Sequence, residues 1–174
     1  MRNFTQEELG HPLASWIRRP PDPPDTALLA GLDAPMDALA LPPEELRRLL
    51  DDAPLPVETG WCVLPDGAGC VSTCLPMPGV TPEMVRWWFV WHGLDPVRYI
   101  LWFPPDHYGL EGRRGRERLL DSAIPLGERL HGVVHRVEED VSGQCTGTPP
   151  SFDIHFRAPE ELGFRPGDGE HAAI

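Results

Sequence analysis

The spacing of apolar positions divides the chain into a region of short helices and a longer region that mixes helix with strands. In residues 1–58, apolar positions recur at helical spacing only over short runs, and Leu46, Leu49 and Leu50 form one such stripe. The stretch RRPPDPPD (18–25) is an extended, polyproline-like linker between runs. We therefore predict a proline-rich helical N-terminal region over residues 1–58, which packs on a partner or on a larger domain.

A second domain is predicted over residues 59–174, and its first clear element is an apolar helix. Residues 59–80 have the pattern of one or two short strands interrupted by Gly and Pro. In the adjoining TPEMVRWWFVWHG, Thr81 is a good N-cap, Pro82 suits the first helical position, and Gly93 suits the end. Because this helix is apolar nearly all round, we predict that it is buried and that its tryptophans lie mainly in the core.

Strands are predicted after this helix. VRYILWF (97–103) is rich in aromatic and β-branched residues, which favours a strand. Residues 109–125 have the composition of an arginine-rich loop with one helical turn, and residues 128–141 and 151–159 have strand patterns. A turn is expected between those two strands, at 143–150. The pattern as a whole predicts an α+β fold with an antiparallel sheet.

Charge and composition exclude several classes of protein. The net charge is −12 and all 15 basic residues are arginine, which disfavours a nucleic-acid partner. No apolar run has the length of a membrane span, and the N-terminus lacks the apolar core of a secretory signal, so we expect a cytoplasmic protein. The four cysteines, Cys62, Cys70, Cys74 and Cys145, lack the spacing of a four-cysteine zinc site, and we expect free thiols.

His107 is the first candidate for chemistry. It comes directly after Pro104-Pro105 and Asp106, and the restricted backbone after a double proline predicts a fixed loop that presents the imidazole. The alternative is a structural turn in which Asp106 caps the next element of the chain.

The histidines of HGVVHRVEED offer a second candidate. In a strand, His131, His135 and Glu139 face one way and Glu138 faces the other. Successive members of that row are roughly 13 Å apart, too far for one ion, so the row alone is not a metal site, and a half-solvated strand explains it equally. His92, in the last turn of the apolar helix, fits a core or capping histidine. Fingerprints of serine hydrolases, phosphate loops and dinucleotide-binding folds are missing.

One long stretch resembles a known family. GVTPEMVRWWFVWHGLDPVRYILWFPPDHYG (79–109) is similar to the 2,4-diacetylphloroglucinol hydrolase and phloretin hydrolase family in its order of Thr-Pro-Glu-Met, Trp-Trp-Phe, Trp-His, Arg-Tyr, Trp and Asp-His. The later HRVEED and IHFRAPEELGF resemble the same family. The resemblance covers most of the chain.

The resemblance implies a zinc-dependent hydrolase that cleaves the carbon–carbon bond between an acyl group and a polyphenol ring, with a small aromatic ketone as substrate. It implies a Bet v1-like helix-grip domain and an N-terminal part that forms a homodimer. His107 matches the first histidine ligand of the family's zinc, Glu138 matches its first glutamate ligand, and Tyr99 matches a substrate-contacting tyrosine. Strand periodicity favours Glu139 in place of Glu138, and a bulge at EED would reconcile the two.

The departures from the family pattern lead to a second hypothesis. The family's second ligand pair, a His-x3-Glu on a late helix, has no counterpart here, and Leu110 replaces a family asparagine. The chain stops at Ile174, so the closing C-terminal helix is expected to be missing and activity to be impaired. The alternative function is a non-catalytic remnant that binds an aromatic or polyketide ligand or a partner chain.

Overall fold

The computed structural model describes residues 3–20, 22–36, 43–50, 59–140 and 148–165. These residues form two compact units, each defined by the contacts within it. The first contains 3–20, 81–140 and 148–158, and the second contains 22–36, 43–50, 59–80 and 159–165. The units divide the chain at places other than residue 58, and the predicted division into domains stays a prediction.

The described elements alternate short helices with antiparallel strands. The α-helices are α1 (Gln6–Gly10), α2 (Ala14–Ile17), α3 (Thr26–Ala30), α4 (Pro82–His92), α5 (Pro96–Ile100) and α6 (Arg116–Leu120). Three 3-10 helices span Pro43–Leu50, Leu126–Glu128 and Pro159–Leu162. The strands are β1 (Gly60–Val63), β2 (Gly69–Ser72), β3 (His107–Arg114), β4 (Val134–Glu139) and β5 (Ser151–His155). The mixture of helices and antiparallel strands agrees with the predicted α+β class, while a Bet v1-like assignment stays a prediction.

The first unit is built on the antiparallel sheet β3-β4-β5. Cross-strand partners share a face of a sheet, so the register defines one face with three rows of side chains. From one end to the other, these rows are His107–Glu139, Leu110–Val137–Phe152 and Gly112–His135–Ile154. We call this the inner face, because His135 and Val137 are fully buried on it.

Helix α4 confirms the predicted boundaries but not the predicted burial. The Thr81 hydroxyl accepts from the backbone N–H of Met84, as an N-cap should. Val90 and His92 are buried, whereas Trp87 is 49% exposed. The expectation that the tryptophans of this helix lie mainly in the core therefore holds only in part: Trp88 and Trp91 are partly buried, whereas Trp87 is exposed. The ring of Trp87 packs on that of Trp91 one turn later, with centroids 5.3 Å apart.

Helix α5 replaces the strand predicted at VRYILWF. Asp95 caps the helix by accepting from the Val97 N–H at 2.8 Å, and Pro96 occupies the first helical turn. An N-cap succeeded by proline starts a helix even where the next residues have strand propensity. The strand prediction weighed β-branched and aromatic composition and overlooked this start signal.

The loop predicted before residue 120 and the strand predicted after it also need correction. Strand β3 begins at His107 and runs through Arg114, where a loop was predicted. Gly115, in the left-handed conformation at φ 83°, ends it and opens helix α6. Strand β4 begins only at Val134, because a 3-10 helix and a turn occupy residues 126–132. The predicted turn at 143–150 lies mostly outside the described residues.

Two apolar clusters hold the first unit together. One joins α4 and α6 to the segments just before β4 and just after β5, through Val90, Leu119, Leu130, Val133 and Phe156. The other joins α2 to α5 through Ile17, Val97 and Ile100. His11 adds a polar tie, since its Nε2 lies 3.3 Å from an Asp95 carboxylate oxygen while its Nδ1 accepts from the Leu13 N–H. A homodimer formed through the N-terminal region stays a prediction.

The second unit contains the hairpin β1–β2, which confirms the short strands predicted at 59–80. Its turn is closed by the Gly67 N–H donating to the Leu64 carbonyl and by the Leu64 N–H donating to the Ala68 carbonyl. Gly67 has φ 87°, as required at the left-handed position of a three-residue hairpin loop. Within the described part of the chain, no helix is long and apolar enough to cross a membrane.

Candidate functional site

The double proline forms the turn that begins strand β3. The N–H groups of Asp106 and His107 both donate to the Phe103 carbonyl, at 3.1 and 3.0 Å. Pro104 and Pro105 occupy the middle of this turn, where the fixed φ of Pro104 suits the first central position and both rings restrict the backbone. The end of the turn is held as well, since the Asp140 N–H donates to the Asp106 carbonyl at 2.8 Å. His107 therefore follows a fixed turn, as predicted, but it is the first residue of strand β3 and not part of a loop.

The imidazole of His107 is held on two sides by Tyr99. Its Nδ1 lies 3.0 Å from the Tyr99 carbonyl, which can only accept, so Nδ1 carries the proton. The two rings stack with centroids 4.3 Å apart and planes 9° apart. Nε2 is therefore the nitrogen that keeps a lone pair when the ring is neutral, and its direction is set by the anchor on Nδ1.

The carboxylate beside His107 belongs to Glu139. The register of β3 on β4 shifts between His107 and Gly109, so that His107 pairs with Glu139 and Gly109 pairs with Glu138. The Nε2 of His107 lies 3.9 Å from Oε1 of Glu139, and the exposed fractions of their side chains are 14% and 19%. Glu138 is exposed, and its carboxyl group lies next to Gly109. The irregularity is in β3 and not at the predicted EED.

The electrostatics of this pair call for a cation or a proton between the two groups. A separation of 3.9 Å is too long for a hydrogen bond. Burial raises the pKa of Glu139, because a carboxylate is poorly solvated there. A neutral imidazole lone pair and a carboxylate facing each other are both acceptors, so a positive species between them would stabilise the arrangement.

Zinc is the metal that the sequence implied, and this pair fits part of its requirements. Two donors at about 2.1 Å from a tetrahedral zinc lie about 3.4 Å apart, so His107 and Glu139 would have to approach by about 0.5 Å from their 3.9 Å separation. A histidine whose Nδ1–H is bound to a backbone carbonyl is typical of metal ligands. However, the residues in the described ranges contain no group of three or more His, Cys, Asp or Glu side chains able to hold a metal.

Tyr99, predicted to contact substrate, lies beneath His107. The residue is 2% exposed. Its hydroxyl is buried and has no hydrogen-bond partner among the residues that the structure describes. A buried hydroxyl without a partner is uncommon, because leaving its hydrogen bond unmade costs about 1–3 kcal/mol.

An aromatic surface borders the His107–Glu139 pair. Trp102 is 49% exposed, and its ring contacts those of Phe89, His92 and His107 edge to face. Phe103 is also partly exposed, with its centroid 6.4 Å from that of His107. Flat, half-exposed rings beside a polar pair form a surface suited to an aromatic ligand.

Two further histidines lie behind this surface, and neither belongs to the polar pair. His92 is buried, as expected for a core histidine, and its Nδ1 donates to the Trp88 carbonyl at 3.0 Å. His135 is 1% exposed on the inner face, with its ring 6.1 Å from that of His92. Burial lowers the pKa of each to about 4, so both are neutral at pH 7.

His131 and His155 do not belong to the pair either. His131 lies in the turn before β4 and not in a strand row with His135 and Glu139. His155 is exposed on β5, next to the end of β4 that is remote from Glu139. The sequence signal that could have found Glu139 directly was the strand alternation, which already placed it on the face of His135.

Comparison with known families assigns the chain. The model of the DAPG hydrolase PhiG domain matches residues 41–174, which is most of the chain and includes the whole polar pair. The chain belongs to this family. The resemblance inferred from the sequence is thereby confirmed.

Named relatives match large parts of the chain. The chain is 31% identical over 155 residues to a 2,4-diacetylphloroglucinol hydrolase from a Pseudomonas species, a match that covers 87% of this chain and 51% of that protein. It is also 31% identical over 155 residues to the 2,4-diacetylphloroglucinol hydrolase of Pseudomonas protegens, a match that covers 87% of this chain and 49% of that protein. It is 36% identical over 107 residues to the phloretin hydrolase of Eubacterium ramulus, covering 60% of this chain and 37% of that protein. The chain thus spans about half the length of the first two relatives.

Proposed function

We propose that this chain takes part in hydrolysis of the carbon–carbon bond between an acyl group and a polyphenol ring of the acylphloroglucinol type. The proposal rests on one observation within this family: an imidazole anchored at Nδ1 turns its Nε2 toward the Glu139 carboxylate, next to the half-exposed ring of Trp102. The names of the relatives, hydrolases of 2,4-diacetylphloroglucinol and of phloretin, support the substrate class.

The reaction needs a ring carbon to leave with an electron pair. Hydroxyl groups ortho and para to the acyl group make this feasible, because the ring can adopt a keto form in which the developing charge is delocalised. A donor placed at a phenolic oxygen would stabilise that form. We assign this role to the Tyr99 hydroxyl, since it is buried and no described residue accepts from it.

We propose that His107 and Glu139 supply two donors to a zinc ion, with Glu138 as the other candidate carboxylate. When bound, zinc would polarise the acyl carbonyl or lower the pKa of a water molecule. His107 contributes a lone pair in a direction set by the Tyr99 carbonyl, and Glu139 contributes negative charge from a poorly solvated position. The remaining donors would come from outside the described residues. Two donors alone hold zinc weakly, so metal must be supplied in excess.

The test is acyl-acid release from an acylphloroglucinol by the purified chain, measured by chromatography. We expect slow release with excess zinc, loss of release after chelation, and recovery when zinc is added back. His107→Ala should abolish release, while the matched control His155→Ala should retain it, because His155 is exposed and away from the pair. Release that survives both chelation and the His107 substitution would disprove the proposal.

A second candidate is binding of an aromatic ligand without turnover. The half-exposed Trp102 and Phe103 favour it, because rings at the surface can stack on a flat ligand without any metal. Titration of tryptophan fluorescence with an acylphloroglucinol separates the two candidates. Saturable quenching without acyl release supports the second, and release supports the first. If the titration shows no quenching and the assay shows no release, both candidates are excluded.

A further inference from the structure

The hairpin β1–β2 brings two thiols into direct opposition, in the unit that does not contain His107. Cys62 on β1 is the register partner of Cys70 on β2. Both are free thiols. Side chains of directly opposed residues project from the same face of a sheet, so the two sulfur atoms lie on one side of the hairpin.

The hydrogen-bond pattern of the turn defines the geometry of this pair. The Leu64 N–H donates to Ala68, which makes Leu64 and Ala68 a hydrogen-bonded pair. Hydrogen-bonded and non-hydrogen-bonded pairs alternate along an antiparallel ladder, so Cys62 and Cys70 are again a hydrogen-bonded pair. The Cα atoms of such a pair are about 5.5 Å apart, within the range found in disulfides.

The environments of the two thiols differ in a way that suits stepwise oxidation. Cys62 is 3% exposed, while Cys70 is partly exposed. Burial is the main cause that raises the pKa of the Cys62 thiol, and the neighbouring Cys70 raises it further. The two side chains also share a hydrogen bond. A reagent in solution would therefore meet Cys70 first, with Cys62 held beside it.

We propose that Cys62 and Cys70 are a redox-active dithiol, which small-molecule disulfides such as oxidised glutathione convert reversibly into a cross-strand disulfide. The Cys70 thiolate attacks one sulfur of oxidised glutathione, and one glutathione leaves as a thiol. The Cys62 thiolate then attacks the Cys70 sulfur of the mixed disulfide, and the second glutathione leaves. The two cysteine protons end on the two glutathione thiols, so the protein is oxidised by two electrons and the reagent is reduced by two.

Reversibility is expected from the spacing of the side chains. Cβ atoms of directly opposed residues lie about 4.5–5.5 Å apart, toward the longer value in hydrogen-bonded pairs, whereas a disulfide holds them at about 3.8 Å. The strands must twist to close the bond, and a strained disulfide is more easily reduced. The bond should therefore form under oxidising conditions and reopen with reduced glutathione.

Cys74 offers a matched control on the same segment. It is exposed and lies beyond the end of β2, where its N–H donates to the Thr59 hydroxyl. The register of the hairpin ends at Gly60 and Ser72, so Cys74 has no cysteine opposite it among the described residues. Its substitution should leave the Cys62–Cys70 pair unchanged.

The experiment treats the reduced full chain with oxidised glutathione, blocks remaining thiols by alkylation, and measures intact mass. We expect the number of alkylatable thiols to fall from four to two. Apart from the added alkyl groups, the chain should be lighter than the reduced chain by two hydrogen atoms, and it should retain no glutathione. Cleavage at Asp66, between the two cysteines, should then leave the two halves of the hairpin joined until a reductant is added. Cys74→Ser should form the same cross-link, with alkylatable thiols falling from three to one, which excludes Cys74 from the bond.

Two variants capture the intermediate step. Cys62→Ser should retain one glutathione on Cys70, because no second thiol can displace it. Cys70→Ser should lose the cross-link and react slowly at the buried Cys62. A bond that involves Cys74 or Cys145, or four thiols that all stay alkylatable, would overturn the proposal. So would a Cys62–Cys70 bond that reduced glutathione cannot reopen. The mapping on the unmodified chain does not depend on how the variants fold.

Discussion

The two ends of the inner sheet face both carry a histidine, but in opposite settings. At one end, His107 is partly exposed, is anchored at Nδ1, and faces the Glu139 carboxylate. At the other end, His135 is fully buried opposite Gly112, and its Nε2 has no hydrogen-bond partner within the described ranges. Residue type alone therefore does not separate a candidate ligand from a packing residue. The difference lies in how deeply the imidazole is buried and in which groups its two nitrogens face.

The same contrast extends to charge. A positive species next to His107 would be stabilised by a carboxylate 3.9 Å away. A proton on His135 would instead face the ring of His92, a second buried base, and Phe156. One end of the face is thus suited to hold a cation and the other to exclude one.

Removing the imidazole at the polar end should have the largest effect. For His107→Ala we expect acyl-acid release to fall at least about 100-fold in kcat/KM, since loss even of groups that only orient a metal ligand costs 10–100-fold. Steady-state kinetics with excess zinc measure this, and circular dichroism checks folding. His135→Leu is the comparison: it should change kcat/KM far less. Equal losses in the two variants would remove the contrast between the ends.

Acid should act mainly at the buried end. The folded-state pKa of His135 is about 4 and the unfolded value is 6.5, so between these values the unfolded chain binds more protons. This contribution to stability is complete above about pH 6.5 and is lost as the pH falls toward 4, by about 2 kcal/mol at pH 5. Urea unfolding at pH 7.5 and pH 5 measures it.

The control separates His135 from other titrating groups. Between pH 7.5 and pH 5, the free energy of unfolding of His135→Leu should fall by about 2 kcal/mol less than that of the unmodified chain. His155→Gln, at an exposed position, should behave as the unmodified chain does. An unchanged acid sensitivity in His135→Leu would show that this ring is not kept neutral by burial.

Packing around His135 should be tight beside Gly93 and open beside Gly112, the residue opposite it on β3. A methyl group at Gly93 would overlap the His135 ring, at 2.9 Å from Nε2. Gly93→Ala should therefore destabilise the protein by about 1.5 kcal/mol, within the usual cost of overpacking. Gly112→Ala is the matched control, because nothing lies within 4 Å of its added methyl. Equal unfolding free energies for the two variants would contradict this packing.

The smallest effect should distinguish the two neighbouring carboxylates. Glu139→Gln should weaken zinc binding by about tenfold or more, because it removes the charge next to His107. Glu138→Gln should leave zinc binding nearly unchanged, since Glu138 is exposed on the opposite face. Competition with a chromophoric chelator gives both affinities. The reverse order would identify Glu138 as the ligand and restore the family-based assignment.

Much of the local structure could be predicted from short-range signals. The Thr81 cap and Pro82 indicated the start of α4, and the double proline indicated a rigid turn before His107. Each of these signals depends on residues within four positions of one another. Helix α5 was predictable from Asp95 and Pro96 in the same way.

The arrangement of the polar pair could not be predicted from one strand. Whether Glu138 or Glu139 meets His107 depends on the register shift between His107 and Gly109, a property of the pairing between two strands about 30 residues apart in sequence. Periodicity within β4 placed Glu139 on the correct face, but it carried no information about the residue opposite. Burial of His135 likewise depends on α4 and its buried His92, far away in sequence.

The anchor of His107 has a consequence for how this site tolerates mutation. The acceptor is the main-chain oxygen of residue 99, which every amino acid carries, and this oxygen also accepts from the Trp102 N–H at 3.1 Å. No exchange of the tyrosine side chain deletes that oxygen. Exchange of the tyrosine would therefore remove the ring that stacks on His107 and the proposed donor hydroxyl, but not the acceptor of the Nδ1 proton. The tautomer of the imidazole and the chemistry of the side chain at position 99 are thus separable by mutation.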